Sequence, residues 1–341
     1  MDRFASLKVL VVGDAILDTY LRGSTTRLCR EAPAPVLTVV ERCDAPGGAA
    51  NAAHNIQSLG GQALFVSAIG EDFEGQLLEC ALQAAGVQTD RLVRTGRRRT
   101  LSKQRLVADG QMLVRFDQGT TAPLDPETER RMLANLAEAF LHTDAVLVSD
   151  YAYGTLTHNV LRTLHQLQSA AQRVLVVDAR RLSRYRALAP TAVKPNYVEA
   201  MTLLGHKPRR ETASRVAQLE SVGECLLRLT GARICAVTLD ADGALVFEGG
   251  RRAYRAYSRP APAVRSTGAG DTFAAALTLV LAAGGDTAAA VEIASAASAA
   301  VVGRDGTVAC AAHDLRDAVV RGAHSIHAED SSERDARLAA S

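Results

Sequence analysis

Short apolar runs alternate with longer amphipathic stretches along most of this chain. The apolar runs are rich in Val, Ala and Leu, and they are typical of strands buried on both faces of a sheet. They lie at residues 7–13, 63–69, 145–149, 174–178 and 234–239. The stretches between them have helical spacing and lie at residues 49–59, 74–85, 126–141, 157–171 and 213–229. This alternation predicts an α/β fold in which helices cover both faces of a central, mainly parallel sheet.

Acidic residues stand at the ends of several predicted strands. Asp14 follows the first strand, Asp150 follows the third, and Asp178 ends the fourth. Ligands of parallel sheets bind beyond the carboxyl ends of the strands. We therefore expect these three carboxylates to face a binding site.

Two segments depart from the alternation of strands and helices. Residues 19–42 carry a proline-rich stretch and an apolar run, and residues 97–118 alternate like a hairpin with Asp109-Gly110 at its turn. Together they predict a small β sheet that projects from the main domain as a lid. We expect that domain to span residues 1–328 and the polar residues 329–341 to form a disordered tail.

Composition and charge argue against several classes of protein. The 341 residues include 39 basic and 37 acidic side chains, and a net charge of +2 is too balanced to indicate a nucleic-acid partner. We find neither an apolar run of membrane-spanning length nor a signal peptide. The six cysteines have no close pairs and the eight histidines lack metal-ligand spacing. These features predict a reduced cytoplasmic enzyme with no membrane partner.

A glycine-bracketed turn precedes an alanine-rich stretch at residues 274–302. Gly268, Ala269 and Gly270 stand where a helix should begin, and the N–H groups and dipole of a helix N-terminus favour an anion such as phosphate. Asp271 follows directly and can accept a proton from a hydroxyl that attacks ATP. Taken alone, the motif fits an ordinary glycine-rich turn equally well. The chain has no Gly-Lys dipeptide, so a P-loop is excluded.

Two other helix starts carry polar side chains. Gly47 and Gly48 precede Asn51, which fits either a tight turn or close approach of a ligand to the backbone. Asn196 and Glu199 are three residues apart and share a helix face. They fit either an ordinary N-cap or a polar pair that holds hydrated Mg²⁺ beside nucleotide phosphates.

Taken in order, these motifs resemble the ribokinase-like (PfkB) carbohydrate kinases over residues 7–323. The resemblance implies a three-layer ribokinase-like fold with a small β lid, and a sugar kinase that uses ATP and Mg²⁺. It implies that Asp271 is the catalytic base and that the amides of Gly268, Ala269 and Gly270 form the anion hole. The implied contacts to sugar hydroxyls are Asp18, Gly47, Gly48 and Asn51. The implied nucleotide and Mg²⁺ side is formed by Asn196, Glu199, Thr238 and Gly243, with Glu199 reaching Mg²⁺ through water.

Within that family, the chain is most similar to kinases that phosphorylate the anomeric hydroxyl of D-glycero-D-manno-heptose 7-phosphate. The similarity lies in residues 12–18, 26–36, 100–117 and 149–154, and it adds Asp14 and Asp150 to the implied substrate contacts. Lys103 and Arg105 alternate onto one face of the lid hairpin, where a substrate phosphate would need them. The alternative for these two residues is a solvated, charged edge strand.

Three departures from the family pattern leave the exact sugar open. Such kinases usually have Asp-Pro-Lys-Gly at residues 178–181, Thr at the position of Lys194, and Asp at the position of Arg265. The alternatives are a kinase of the same fold for another sugar, sugar phosphate or nucleoside, and a non-catalytic sugar-binding regulator. We also expect a homodimer that pairs through the lid.

Overall fold

The strands of the computed structural model, which describes residues 2–256 and 267–320, form two separate sheets. They are β1 (Lys8–Gly13), β2 (Ala15–Leu28), β3 (Pro35–Gly48), β4 (Gln62–Gly70), β5 (Leu92–Thr95), β6 (Leu101–Ala108), β7 (Gln111–Gln118), β8 (Ala145–Asp150), β9 (Val174–Ala179), β10 (Ala192–Val193), β11 (Ile234–Thr238), β12 (Ala244–Glu248) and β13 (Tyr254–Ala256). The larger sheet has the order β13-β12-β11-β10-β9-β8-β1-β4-β5. Neighbouring strands are parallel from β5 to β11, whereas the pairs β11–β12 and β12–β13 are antiparallel.

Helices pack on both faces of the larger sheet. They are α1 (Ala49–Ser58), α2 (Phe73–Ala84), α3 (Pro126–Leu141), α4 (His158–Ala170), α5 (Tyr197–Leu204), α6 (Thr212–Glu220), α7 (Gly223–Thr230), α8 (Ala269–Ala282) and α9 (Thr287–Val301). Strand β1 shows why the sheet needs two helical layers, because side chains alternate between its faces. Val9 and Val11 pack with α1, α8 and α9, whereas Leu10 and Val12 pack with α3 and α4. The predicted three-layer α/β fold is confirmed.

The second sheet has the order β3-β2-β6-β7 and is the predicted lid. Its strands β2 and β3 are longer than the sequence indicated, because their pairing continues down to Ala15 opposite Gly48. The base of the lid therefore carries Asp18 and the glycine pair into the main domain. At the outer edge, every residue of β7 is exposed.

The sequence misjudged one helix and several strands. The predicted helix at residues 213–229 is two helices, α6 and α7, and a Cβ at Gly223 would lie 2.2 Å from the Phe247 ring. Strands β5, β10, β12 and β13 have two to five residues each, too few for a reliable pattern.

Arg265 and the predicted tail at residues 329–341 lie outside the described residues. In the part of the chain that the structure describes, no helix has the length and apolar character needed to cross a membrane.

Candidate active site

A cleft of about 220 Å³ opens at the carboxyl ends of β8, β9 and β10. The N-termini of α5 and α8 also line it. It is lined by Asp150, Tyr151, Asp178, Arg180, Lys194, Asn196, Glu199 and Gly270. The cleft therefore lies at the edge of the sheet where the acidic strand ends were expected, and it brings four carboxylate or amide side chains together with two cations.

The turn at Gly268 places Asp271 in the first turn of α8. Gly268 has a φ of +85°, in the left-handed region that favours glycine, and a Cβ there would lie 2.7 Å from Nδ2 of Asn51. The glycine thus permits both the turn and the close approach of Asn51. The structure thus brings the glycine turn, Asp271 and Asn51 together.

Both oxygens of the buried Asp271 carboxylate accept hydrogen bonds. Nδ2 of Asn51 donates to Oδ2 at 2.8 Å, and the Tyr151 hydroxyl donates to Oδ1 at 2.8 Å. Burial raises the pKa of Asp271 above its usual value, while these two hydrogen bonds and the Lys194 ammonium act to lower it. Two donors aimed at a buried carboxylate favour its ionised form, which is the form that can accept a proton.

A chain of amides fixes the orientation of Asn51. The backbone N–H of Cys310 donates to Oδ1 of Asn55 at 3.0 Å, so Nδ2 of Asn55 faces the opposite way. That nitrogen donates to Oδ1 of Asn51 at 3.2 Å and to its backbone carbonyl at 2.9 Å. The Asn51 amide nitrogen is thereby left pointing at Asp271. The sequence offered one signal for Asn55, its position four residues after Asn51 on the same helix face.

Asp14 and Asp150 hold the loop that follows β8. Asp14 is fully buried and accepts from the backbone N–H groups of Tyr151, Tyr153 and Thr155 at 2.9–3.1 Å. Asp150 accepts from the N–H of Ala152 at 2.8 Å. Burial raises the pKa of Asp14, and hydrogen bonds from the loop act against that rise. Both carboxylates, predicted as substrate contacts, thus hold the loop that carries Tyr151, and Oδ2 of Asp150 also accepts from the Tyr185 hydroxyl at 2.6 Å.

An ion pair lies beside the first turn of α8. Nζ of the buried Lys194 is 3.1 Å from Oδ2 of Asp178, and a Cβ at Gly270 would lie 3.4 Å from the same nitrogen. Burial raises the pKa of Asp178 to about 7, although Lys194 acts to lower it. Burial would lower the pKa of Lys194, but Asp178 and Glu199 outweigh burial and raise it. The ammonium therefore stays charged next to the proposed anion site.

Asn196 and Glu199 form a capping box and also line the cleft. The Asn196 side chain accepts from the N–H of Glu199 at 2.8 Å, and Oε2 of Glu199 accepts from the N–H of Asn196 at 2.9 Å. An N-cap and a contact to hydrated Mg²⁺ are thus compatible roles for this pair, because Oε1 of Glu199 takes no part in the cap. Thr238 bridges to Asn196 at the end of β11, and Gly243 follows with a φ of +84°.

The base of the lid carries another buried carboxylate. Asp18 is buried, with Oδ1 2.7 Å from a guanidinium nitrogen of Arg105 and Oδ2 2.9 Å from the Thr307 hydroxyl, which donates to it. A Cβ at Gly47 would lie 2.4 Å from Oδ2 of Asp18. Gly47 therefore leaves the space that this carboxylate occupies.

The two lid cations have different surroundings. Arg105 is buried in its ion pair with Asp18 and stacks over Tyr20. Lys103 lies with its Nζ 4.9 Å from the centre of the Tyr151 ring. The shared strand face predicted from the sequence is correct, but only Lys103 has its charge available for a ligand. The sequence missed Tyr151 and Lys194 as site residues, although it singled out their segments.

Known proteins resemble this chain over most of its length. A profile of the pfkB family carbohydrate kinases matches residues 6–314. The "Bifunctional protein HldE" of Pseudomonas aeruginosa strain PAO1 is 37% identical over 325 residues, covering 94% of this chain and 65% of the relative. The protein of the same name from Desulfatibacillum aliphaticivorans is 31% identical over 304 residues, covering 89% and 61%. The chain thus spans less than two thirds of the length of these relatives.

Solved structures share the fold. Phosphofructokinase-2 from Escherichia coli, in complex with substrates and products, has a TM-score of 0.73 at 22% identity and covers 92% of this chain and 98% of its own. Ribokinase from Arabidopsis thaliana, complexed with ribose and ATP, has a TM-score of 0.68 at 20% identity, with coverages of 92% and 98%. Because the family profile matches most of its length, the chain belongs to the pfkB family of carbohydrate kinases.

Proposed function

We propose that this sugar kinase transfers the γ-phosphoryl group of ATP to the anomeric O1 of a heptose 7-phosphate, with Asp271 as the catalytic base. The observation that carries the proposal is the Asp271 carboxylate, which two side-chain donors hold at the N-terminal turn of α8. The similarity of residues 12–18, 26–36, 100–117 and 149–154 to heptose 7-phosphate kinases supports the acceptor.

Asp271 has the properties of a general base. Burial raises its pKa and so strengthens it as a proton acceptor, while Asn51 and Tyr151 favour the ionised form. The acceptor hydroxyl would donate its proton to this carboxylate as its oxygen attacks phosphorus. Asn51, held by Asn55, keeps the carboxylate in place and is also a candidate contact for a sugar hydroxyl.

The transferred phosphoryl group needs positive charge where its negative charge develops. The amide groups at Gly268, Ala269 and Gly270 supply the helix N-terminus, and the Lys194 ammonium lies beside them. Asp178 holds that ammonium in position. In this role Lys194 acts as a fixed cation in a partly dehydrated cleft, where charge–charge interactions are stronger than in water.

The carboxylates of the cleft suit the nucleotide and Mg²⁺. Carboxylates of Asp178 and Glu199 line the cleft, and Mg²⁺ usually combines one or two carboxylates with waters and phosphate oxygens. When bound, the ion would neutralise the β- and γ-phosphates. We place the nucleotide along Asn196, Thr238 and Gly243.

The acceptor would lie between Asp271 and the base of the lid. Asp18, with Gly47 and Gly48, would contact its hydroxyls, and Lys103 would meet its phosphate. Arg105 would act mainly through Asp18, since the two form a buried ion pair. The lid would shield the reacting groups from water, which otherwise competes as acceptor.

The test is an ATP-consumption screen over a panel of sugars and sugar phosphates. We expect heptose 7-phosphate to be the best acceptor, and Asp271→Asn to lower kcat by about a hundred- to ten-thousandfold, the usual contribution of general base catalysis. ATP affinity should change little. A variant with near-normal turnover would remove Asp271 from the mechanism, and a better acceptor in the panel would replace heptose 7-phosphate.

We also propose that two copies pair through their lids. The edge of β7 is open and carries exposed apolar side chains on both faces, namely Met112, Leu113, Val114 and Phe116. An open, apolar edge invites pairing with another strand. Sedimentation of the wild type as a dimer and of Val114→Lys as a monomer would support this arrangement, and a monomeric wild type would reject it.

A further inference from the structure

Two cations from different parts of the fold lie against the same pair of aromatic rings. Tyr151 and Tyr153 stack with their ring centres 6.4 Å apart. Nζ of Lys103, from lid strand β6, lies 4.9 and 5.6 Å from the two centres. Cζ of Arg180, which follows β9 of the main domain, lies 5.8 and 5.2 Å from them. The two tyrosine rings thus contact both a cation of the lid and a cation of the main domain.

Neither charge is neutralised by a carboxylate within 4.0 Å among the residues that the structure describes. The neighbouring cations Arg105 and Lys194 are neutralised, because Arg105 pairs with Asp18 and Lys194 pairs with Asp178. Aromatic faces attract cations but carry no net charge of their own. Two cations held against the same pair of rings without a neutralising carboxylate favour binding of a dianion that contacts both of them.

We propose that Lys103 and Arg180 form one anion site, which binds the phosphate that the acceptor sugar already carries. The inference rests on the proposed function and adds Arg180 to it. Tyr151 sets the distance between the anion site and the base, because its hydroxyl contacts Asp271 while its ring contacts both cations. The bound phosphate therefore lies about one tyrosine side chain away from the base, which suits a phosphate several bonds from the attacking hydroxyl.

Kinetics with phosphorylated and free heptose test the site. A charge-assisted contact is worth about ten- to a hundredfold, so Lys103→Ala and Arg180→Ala should each lower kcat/KM for heptose 7-phosphate by that factor. In both variants, kcat/KM for free heptose and the KM for ATP should change much less than kcat/KM for heptose 7-phosphate. The double variant should lose less than the product of the two single losses if both cations hold one phosphate. Arg181→Ala, an exposed neighbour, is the matched control and should behave as wild type.

A rise in the KM for ATP in Arg180→Ala would overturn the inference, because it would assign Arg180 to the nucleotide. An equal loss with free and phosphorylated heptose would also overturn it.

Calorimetry separates this inference from the proposed function. Inorganic phosphate is titrated into protein saturated with a non-hydrolysable ATP analogue, so that the nucleotide side is filled. Binding by the wild type and not by Arg180→Ala would support the anion site even if heptose 7-phosphate proved a poor acceptor. Equal binding, or equal lack of binding, by the two proteins would overturn it.

Discussion

Replacing Tyr151 by Phe removes one of the two hydrogen bonds that Asp271 accepts. The phenol donates at 2.8 Å to a buried carboxylate, and burial together with Asp271 raises the pKa of Tyr151 well above its usual value. The hydroxyl therefore stays protonated and acts as a donor throughout the working pH range. The ring itself, with its contacts to Lys103 and Arg180, is retained in the variant.

The size of the effect follows from the loss of one charge-assisted hydrogen bond. Such a bond is worth about 1.5–3 kcal/mol, and about 1.4 kcal/mol corresponds to a tenfold change in proton affinity. Burial already raises the pKa of Asp271, and Tyr151 opposes that rise, so the variant binds its proton more tightly. Since only the ionised base works, kcat/KM on the acid side of the pH profile should fall about ten- to a hundredfold.

The assay is kcat/KM for the acceptor as a function of pH, in wild type, Tyr151→Phe and the control Tyr153→Phe. The control loses a hydroxyl from the stacked partner ring but leaves Asp271 untouched. The Tyr151→Phe defect should disappear at alkaline pH, where the carboxylate is ionised in both proteins. A defect of equal size at every pH would mean that the hydroxyl does not govern protonation of the base, and the reasoning would be refuted.

Two further sets of substitutions test the framework around the site. Gly48→Ala should destabilise the fold by about 2 kcal/mol or more, because Gly48 has a φ of +56° and a Cβ would lie 2.7 Å from Ile16 Cδ1. Gly249→Ala, where a Cβ meets nothing within 4 Å, should stay within about 0.5 kcal/mol in the same urea titration. Lys194→Met should destabilise by about 3 kcal/mol by leaving Asp178 unpaired, and adding Asp178→Asn should recover stability without recovering turnover. Recovery of turnover in that double variant would show that Lys194 acts only structurally.

The sequence predicted the elements that local patterns determine. Apolar runs located the central strands, and the glycines around Asp271 marked a helix start that can bind an anion. Because parallel sheets bind ligands beyond the carboxyl ends of their strands, the sequence correctly located Asp14 and Asp150 at that edge of the sheet. It could not show that they would bind the amides of the loop after β8, because the path of that loop depends on tertiary packing.

Contacts between residues that are far apart in the sequence determine the rest of the site. Lys103 and Arg105 look equivalent in the sequence, yet only Arg105 meets Asp18, which lies 87 residues away on β2. Tyr151 donates to Asp271, which lies 120 residues further along the chain, because the fold places the first turn of α8 against the Tyr151 hydroxyl. Contacts of this kind leave no periodic signal in either segment.

The length of β2 has a mechanical consequence for the lid. Its 14 residues span roughly 45 Å at about 3.3 Å per residue. Asp18 lies only three residues from the root at Ala15, about a quarter of the way along this lever. If the strand pivots at its root, a swing of about 4 Å at the tip moves Asp18 by only about 1 Å. In the proposed mechanism, the outer lid can therefore move to admit and release sugars while Asp18, the proposed acceptor contact, keeps its alignment with Asp271.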